Sequence, residues 1–196
     1  MADWTVVIPV KGTVSAKSRL GASSELALAI ALDTVAAASM AARVIVVTAP
    51  SIASRFEELG ARVVDDPHSG LLAAVAEGIA VAGDGAVAVL LGDVPALRPE
   101  EFATALELAA QHPLAFVADA DNDGTVLITA LRAADHRPAF GAHSRAAHLA
   151  AGYVELDVPL DSGLRRDVDT AEQLTALGTR VGARTRAASD SASNWG

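Results

Sequence analysis

The sequence predicts an α/β domain in which helices cover both faces of a doubly wound, mostly parallel sheet. Short β-branched and apolar runs alternate along the chain with alanine- and leucine-rich stretches long enough for helices. Some of these runs, such as residues 86–91, are apolar at every position, which is typical of strands buried between two helical layers. The 196 residues are enough to form one hydrophobic core.

The alternation of strands and helices extends from residue 5 to residue 177. The predicted strands are residues 5–10, 43–48, 61–64, 86–91, 114–117, 125–129 and, more weakly, 153–156. The predicted helices are residues 25–40, 51–59, 71–81, 100–111, 144–151 and 171–177. Beyond residue 178 the apolar periodicity stops, so we expect a domain over residues 1–178 and a disordered or loosely attached tail over 179–196.

Composition excludes several classes of function. The net charge of −9, from 15 Lys+Arg and 24 Asp+Glu, argues against a surface that binds nucleic acid or an anionic membrane. The absence of cysteine excludes disulfides, cysteine-ligated metals and cysteine nucleophiles. No apolar run approaches the roughly 20 residues of a membrane helix, and the first residues lack the cationic segment of a signal peptide. We therefore expect a cytoplasmic protein.

The loop after the first strand is a candidate phosphate-binding segment. It contains Lys11, Lys17 and Arg19 within nine positions of an otherwise acidic chain. These cations, with glycine and small hydroxyl residues between them, suit a polyphosphate, and ligands of doubly wound sheets bind at the carboxyl ends of strands. The loop matches neither the Walker A motif nor the G-x-G-x-x-G fingerprint, so a solvated basic loop is the alternative.

Two aspartate-containing segments are candidates for metal binding. Asp93 follows Gly92 at the end of a fully apolar predicted strand, and Asp167 and Asp169 precede the last predicted helix. Carboxylates at such positions hold a divalent cation against nucleotide phosphates. The alternatives are that Asp93 forms a turn or caps the next helix, and that Asp169 or Thr170 caps the last one.

These segments together resemble the MobA-like nucleotidyltransferases, which have a GT-A-type α/β fold. Within that class the chain is most similar to the guanylyltransferases of coenzyme F-420 biosynthesis, and the likeness covers residues 4–178. The Ala-Lys-Ser-Arg-Leu run at residues 16–20 is its most specific part, because MobA itself has a loop richer in glycine. The resemblance implies transfer of GMP from GTP to phosphoenolpyruvate, with Mg²⁺ as cofactor and pyrophosphate as a product.

The resemblance also implies a role for each candidate residue. Lys11, Lys17 and Arg19 would bind the nucleotide, Asp93 and Asp169 would bind Mg²⁺, and Lys17, Arg19 and Asp93 would form the catalytic group; the acceptor site would comprise Thr125, Gly141 and Ser144.

The residues of the implied acceptor site are consistent with anion binding. Gly141 permits close backbone approach, and Ser144 begins a predicted helix whose free N–H groups would hold a carboxylate or phosphate. A glycine turn followed by a serine helix cap is the alternative.

The resemblance leaves the acceptor open. Phosphoenolpyruvate is preferred because the alanine-rich composition is typical of GC-rich bacteria, whose members of this class use it. The alternatives are 2-phospho-L-lactate or 3-phosphoglycerate as acceptor, a molybdenum-cofactor nucleotidyltransferase, and a nucleotide sensor without turnover. A downstream transferase that takes up the product is an expected partner.

The five histidines show no metal-ligand spacing. We expect most of them on loops or solvated helix faces, with His143 alone near the proposed site. The members of this set are His68, His112, His136, His143 and His148.

Overall fold

A computed structural model describes residues 2–11 and 24–193, which form a seven-stranded mixed sheet with helices on both faces. The strands are β1 (Thr5–Pro9), β2 (Arg43–Thr48), β3 (Arg62–Asp65), β4 (Val87–Leu90), β5 (Leu114–Ala118), β6 (Thr125–Ala130) and β7 (Val154–Glu155). Their order across the sheet is β3-β2-β1-β4-β6-β5-β7. The predicted doubly wound, mostly parallel α/β class is confirmed.

The helices of the described residues include every one that the sequence predicts. They are α1 (Ser24–Ser39), α2 (Ala53–Glu57), α3 (Leu71–Ala82), α4 (Pro99–Ala109), α5 (Ser144–Ala150), α6 (Ala171–Leu177) and α7 (Ala183–Ser193). Within this part of the chain no helix is long and apolar enough to cross a membrane.

Strand β6 runs opposite to the other six described strands. It pairs antiparallel with both β4 and β5, whereas β1 to β4 are parallel to one another and β5 is parallel to β7. The Leu91 N–H donates to the Val126 carbonyl at 3.0 Å, directly after the pair Leu90 and Leu127. The first residue of β6, Thr125, therefore lies at the sheet edge where β4 ends.

The core has a layer on each face of the sheet. Ile8 belongs to the layer under α1 and α4, and Val7 belongs to the layer under α3, because successive side chains of a strand point to opposite faces. Both side chains are fully buried. A side chain at Gly78 of α3 would overlap Val7, so glycine lets this helix lie close against the sheet.

The expectation of a disordered tail beyond residue 178 does not agree with the structure, which places α7 against α1. Asp33 of α1 is 8% exposed, and its carboxylate accepts hydrogen bonds from the backbone N–H groups of Arg184 (3.3 Å) and Thr185 (2.8 Å). This carboxylate satisfies N–H groups that the first turn of a helix leaves unpaired. The contact spans about 150 residues of sequence, and the polar composition of the segment gives no indication of it.

Candidate active site

Lys11, Asp93 and Asp169 line one cavity of about 190 Å³ at the carboxyl edge of the sheet. Three of the predicted site residues, from distant parts of the chain, are thus brought together by the fold. A side chain at Gly92 would lie 3.1 Å from the Pro9 carbonyl oxygen, so glycine lets the chain leaving β4 pass close to the end of β1. Lys17 and Arg19 lie outside the described residues.

Three hydrogen bonds donated by backbone N–H groups fix the turn that carries Asp93. The Val94 N–H donates to the buried Thr34 hydroxyl at 3.1 Å, and the Gly182 N–H donates to the Pro95 carbonyl at 2.8 Å. The Val168 N–H donates to the Asp93 carbonyl at 2.9 Å, which holds the segment of Asp167 and Asp169 against this turn.

Helix capping does not account for Asp93 or Asp169. The N-cap position of α4 is Arg98, so the alternative that Asp93 caps this helix is wrong. Thr170 caps α6: its hydroxyl accepts from the Gln173 N–H at 3.2 Å while the Gln173 side chain accepts from the Thr170 N–H at 3.0 Å. Both aspartates are therefore placed at the cavity for a reason other than helix capping.

Asp167 lies half-buried among other carboxylates. Burial, followed by the negative charges of Asp93, Asp119 and Asp169, raises the pKa of Asp167 to about 7. Sequence reasoning missed Asp119, although it directly follows the apolar strand β5 at the same sheet edge as Asp93. The four carboxylates make this part of the site strongly negative.

Asp119 also shapes the turn that leads into β6. Its carboxylate accepts hydrogen bonds from the backbone N–H groups of Asp123 (3.1 Å) and Gly124 (2.8 Å). A side chain at Gly124 would overlap this carboxylate, which explains the glycine. The turn ends at Thr125, which is the first residue of β6.

Arg165 ties the Asp167 segment to this turn and was not identified from the sequence. It is 6% exposed and donates to the Asp119 carbonyl (2.8 Å), the Val158 carbonyl (3.1 Å) and the Asn122 side-chain oxygen (2.6 Å). Its partners lie up to 46 residues away in sequence, so no local pattern indicates them.

The three predicted acceptor residues lie on connected segments beside the start of β6. Thr125 and Ser144 are 3% and 2% exposed, and the Arg145 N–H donates to the Asp123 carbonyl at 3.0 Å. This bond ties the start of α5 to the turn before Thr125. Gly141 is exposed, has a φ of +138° that favours glycine, and faces open space where a side chain would stand.

The expectation of free N–H groups at the start of α5 is wrong for the first two helical residues. The Ser144 N–H donates to the Gly141 carbonyl at 3.2 Å, and that of Arg145 donates to Asp123. The N-cap position belongs to His143, whose side chain makes no capping bond, so Ser144 is not a serine cap. Any anion at this place must be bound by side chains and by other backbone groups.

The prediction that the histidines are mostly solvated is wrong for His148. Its ring is fully buried, with the rings of Phe140 and Tyr153 in edge contact, and burial lowers the pKa of His148 to about 4. Its Nδ1 lies 2.9 Å from the Thr125 hydroxyl oxygen. The spacing of four residues from Ser144 to His148 on one predicted helix could have indicated this shared face.

His143 matches the expectation of an exposed residue near the site. Its Nδ1 lies 2.8 Å from the Asp123 carboxylate, and this hydrogen bond raises the pKa of His143 and lowers that of Asp123.

Comparison with known proteins decides the family. The family model of the MobA-like NTP transferase domain matches residues 15–158, which include six of the seven described strands and the predicted acceptor residues. This chain is a MobA-like nucleotidyltransferase. It is therefore an enzyme of the transferase class, and enzymes of this family generally use a divalent metal.

Curated relatives match this nucleotidyltransferase over nearly its whole length. A phosphoenolpyruvate guanylyltransferase of Streptomyces avermitilis is 46% identical over 202 residues, covering 95% of this chain and 94% of the relative. The enzyme of the same name from Streptomyces coelicolor is 47% identical over 201 residues, covering 94% and 95%. That of Salinispora arenicola is 46% identical over 200 residues, covering 94% and 92%.

Solved structures agree on the fold. A nucleotidyl transferase from Methanothermobacter thermautotrophicus superposes with a TM-score of 0.64 at 18% identity, covering 89% of this chain and 95% of that one. CMP:2-keto-3-deoxy-manno-octonic acid synthetase, solved with CTP, superposes with a TM-score of 0.55 at 17% identity, covering 96% and 100%. At these identities the likeness concerns the fold alone.

The carboxylates of this nucleotidyltransferase fit a divalent cation that is shared with a nucleotide. Among residues 2–11 and 24–193, no three His, Asp or Glu side chains lie close enough together to hold a metal ion by themselves. Mg²⁺ is commonly bound by one or two carboxylates together with substrate phosphates and water. Asp93 and Asp169, which share the cavity with Lys11, match that mode of binding.

Proposed function

We propose that this protein is a phosphoenolpyruvate guanylyltransferase of coenzyme F-420 biosynthesis. It transfers GMP from GTP to phosphoenolpyruvate, releasing pyrophosphate and giving enolpyruvoyl-2-diphospho-5'-guanosine. The observation that carries the proposal is the set of relatives of this name that match over more than nine-tenths of both chains at 46–47% identity. The proposal is consistent with the side chains at one edge of the sheet. These are the carboxylates of Asp93 and Asp169, the ammonium group of Lys11, and the buried hydroxyls of Thr125 and Ser144.

The reaction requires positioning more than proton transfer. A phosphate oxygen of phosphoenolpyruvate forms a bond to the α-phosphorus of GTP, and the bond from that phosphorus to pyrophosphate breaks. Because the nucleophile is already an anion, no general base is needed. The protein must align two anions that repel each other and neutralise the charge that develops.

Each group of residues has a part in this alignment. Lys11, together with Lys17 and Arg19, binds the triphosphate through charge-assisted hydrogen bonds. Asp93 and Asp169 hold Mg²⁺, which supplies positive charge at the phosphates when it is bound.

The direction of β6 supports an acceptor site beside the proposed metal ligands. Thr125 starts β6 next to the turn that carries Asp93, because Leu90 pairs with Leu127 and β6 is antiparallel to β4. Thr125, Gly141 and Ser144 would bind the acceptor there, so that its phosphate faces the α-phosphorus. Asp119 and Arg165 support this acceptor turn through their hydrogen bonds.

The test is an assay of substrate combinations. The purified protein with Mg²⁺ is mixed with each nucleoside triphosphate and with phosphoenolpyruvate, 2-phospho-L-lactate or 3-phosphoglycerate, and pyrophosphate and product mass are measured. We expect the fastest release with GTP and phosphoenolpyruvate and a product of the corresponding mass. Faster release with another acceptor would reassign the substrate. The absence of pyrophosphate release in every combination would favour a nucleotide sensor without turnover.

A further inference from the structure

His148 is buried beside the Thr125 hydroxyl and has no part in the chemistry described above. Its side chain is fully buried, and its ring packs between Phe116, Phe140 and Tyr153. Both ring nitrogens nevertheless have polar neighbours within 3.0 Å. A ring held on every side in this way has a fixed orientation.

The hydrogen bonds assign the position of the ring proton. The Ala139 backbone N–H points at His148 Nε2 from 3.0 Å, and a backbone N–H can only donate. Nε2 is therefore the acceptor, and in the neutral ring the proton is on Nδ1. The low pKa that burial gives His148 keeps the ring neutral at neutral pH.

This assignment fixes the role of the Thr125 hydroxyl. Nδ1 lies 2.9 Å from the Thr125 Oγ1, and the ring also donates to the backbone of Ser144, so Nδ1 carries the proton and the Thr125 hydroxyl cannot donate to it. If the hydroxyl instead donated to Nδ1, the ring proton would be on Nε2 and would oppose the Ala139 N–H. The hydroxyl proton must consequently point away from His148.

We propose that His148 is a positioning residue that makes Thr125 a hydrogen-bond donor toward the anionic acceptor of the transfer reaction. The inference rests on the proposed function, because it takes Thr125 as an acceptor ligand. A hydroxyl held as a donor suits a carboxylate or phosphate oxygen, which carries no proton at neutral pH. It is mismatched to an acceptor that presents a hydroxyl or ammonium donor at the same place.

A matched pair of variants separates the two ring nitrogens. The amide of His148→Asn reaches the position of Nδ1 and can still donate to Thr125, whereas that of His148→Gln reaches the position of Nε2 and can still accept from Ala139. We expect the KM for phosphoenolpyruvate to rise about tenfold or more in His148→Gln, the scale of one hydrogen bond to a charged group. The rise should be smaller in His148→Asn, and the KM for GTP should change little in both.

A double-mutant cycle guards against a merely structural effect. Thr125→Val removes the hydroxyl but keeps the shape of the side chain, so in that background His148→Gln should cause no further rise in the KM for phosphoenolpyruvate. Equal rises in both backgrounds, or parallel changes in the KM values of both substrates, would overturn the proposal. Nitrogen-15 chemical shifts of the wild-type protein give a test that needs no variant: a proton on Nε2 of His148 would overturn it as well.

The outcomes also distinguish this inference from the proposed function. If the wild-type protein does not transfer GMP to phosphoenolpyruvate, the proposed function fails and the inference fails with it. If the wild-type protein performs the transfer and the cycle is additive, only the role of His148 is rejected.

Discussion

At the scale of single residues, the charge state of Asp167 depends on its surroundings. Burial and three neighbouring carboxylates raise the pKa of Asp167 to about 7, so at higher pH the site holds several negative charges close together. Such repulsion destabilises the folded protein and is relieved when a cation binds. Under the proposed function, the carboxylates would thus lower the stability of the metal-free protein and raise its affinity for a metal bound with nucleotide.

Replacing Asp167 by Asn should stabilise the protein in the absence of metal. A raised folded-state pKa means that stability is lost as pH rises from the unfolded value of about 3.9 through about 7, so the substitution gains most at pH 8 and little at pH 4. We expect a gain of about 2 kcal/mol at pH 8, after allowance for partial exposure. Urea unfolding at both pH values measures it. An unchanged free energy of unfolding at pH 8 would show that the folded protein does not raise the pKa of Asp167.

The lowered pKa of His148 predicts that its contribution to stability depends on pH with the opposite sign. Its folded-state pKa is lowered to about 4, so its contribution to stability is fully present above the unfolded value of about 6.5 and is lost as pH falls toward 4. The wild-type protein should therefore lose about 3 kcal/mol relative to His148→Phe across this range. Unfolding curves of both proteins at pH 7 and pH 4.5 provide the comparison. A constant difference between them would mean that His148 is not neutral and buried in the fold.

Part of the site could be predicted from residues alone. Lys11 and Asp93 follow from two rules, that ligands bind at the carboxyl ends of strands and that carboxylates hold divalent cations, whereas the residues alone leave open which of Asp167 and Asp169 would bind the metal. The roles of Arg165 and His148 could not be predicted, because they depend on partners 43–46 and 23 residues away. Such contacts exist only once the turns between the strands have formed.

At the scale of secondary-structure elements, two features could not be predicted from the sequence: the direction of β6 and the capping of α7 by a distant residue. The strands and first six helices were predictable because their apolar periodicity is strong. The direction of β6 was not, since hydrophobic pattern does not distinguish parallel from antiparallel pairing of a buried strand. Helix α7 was missed because its first turn is satisfied by Asp33 on α1.

Asp33 should be required to hold α7 in place. Asp33→Ala removes the acceptor of two backbone N–H groups at the start of the helix, and we expect a loss of about 2 kcal/mol in the free energy of unfolding. Turnover should fall as well, because the neighbouring Gly182 N–H holds Pro95 in the turn of Asp93. Asp190→Ala, an exposed position on the same helix, is the control and should change stability by less than about 0.5 kcal/mol. Equal stability of the two variants would show that Asp33 does not hold α7 in place.

At the scale of the whole molecule, an acidic protein gathers its candidate site from five segments of the chain. Under the proposed function a chain of net charge −9 binds two anionic substrates, so cations and metal-bound positive charge would be needed locally at one edge of the sheet. The antiparallel β6 brings the start of one strand beside the end of another and so places the predicted acceptor residues next to the aspartates. This sheet topology would let the two proposed substrates meet at one place.

The central claim, transfer of GMP to phosphoenolpyruvate at the site of Asp93, is tested most directly by comparing the wild-type protein with Asp93→Asn. Release of pyrophosphate from GTP and Mg²⁺ is measured with and without phosphoenolpyruvate, and circular dichroism checks that the variant is folded. We predict release that depends on phosphoenolpyruvate in the wild-type protein and falls by about 10² or more in the variant, the scale of losing one transition-state electrostatic contact. Release that is independent of phosphoenolpyruvate, or undiminished in a folded Asp93→Asn protein, would contradict the claim.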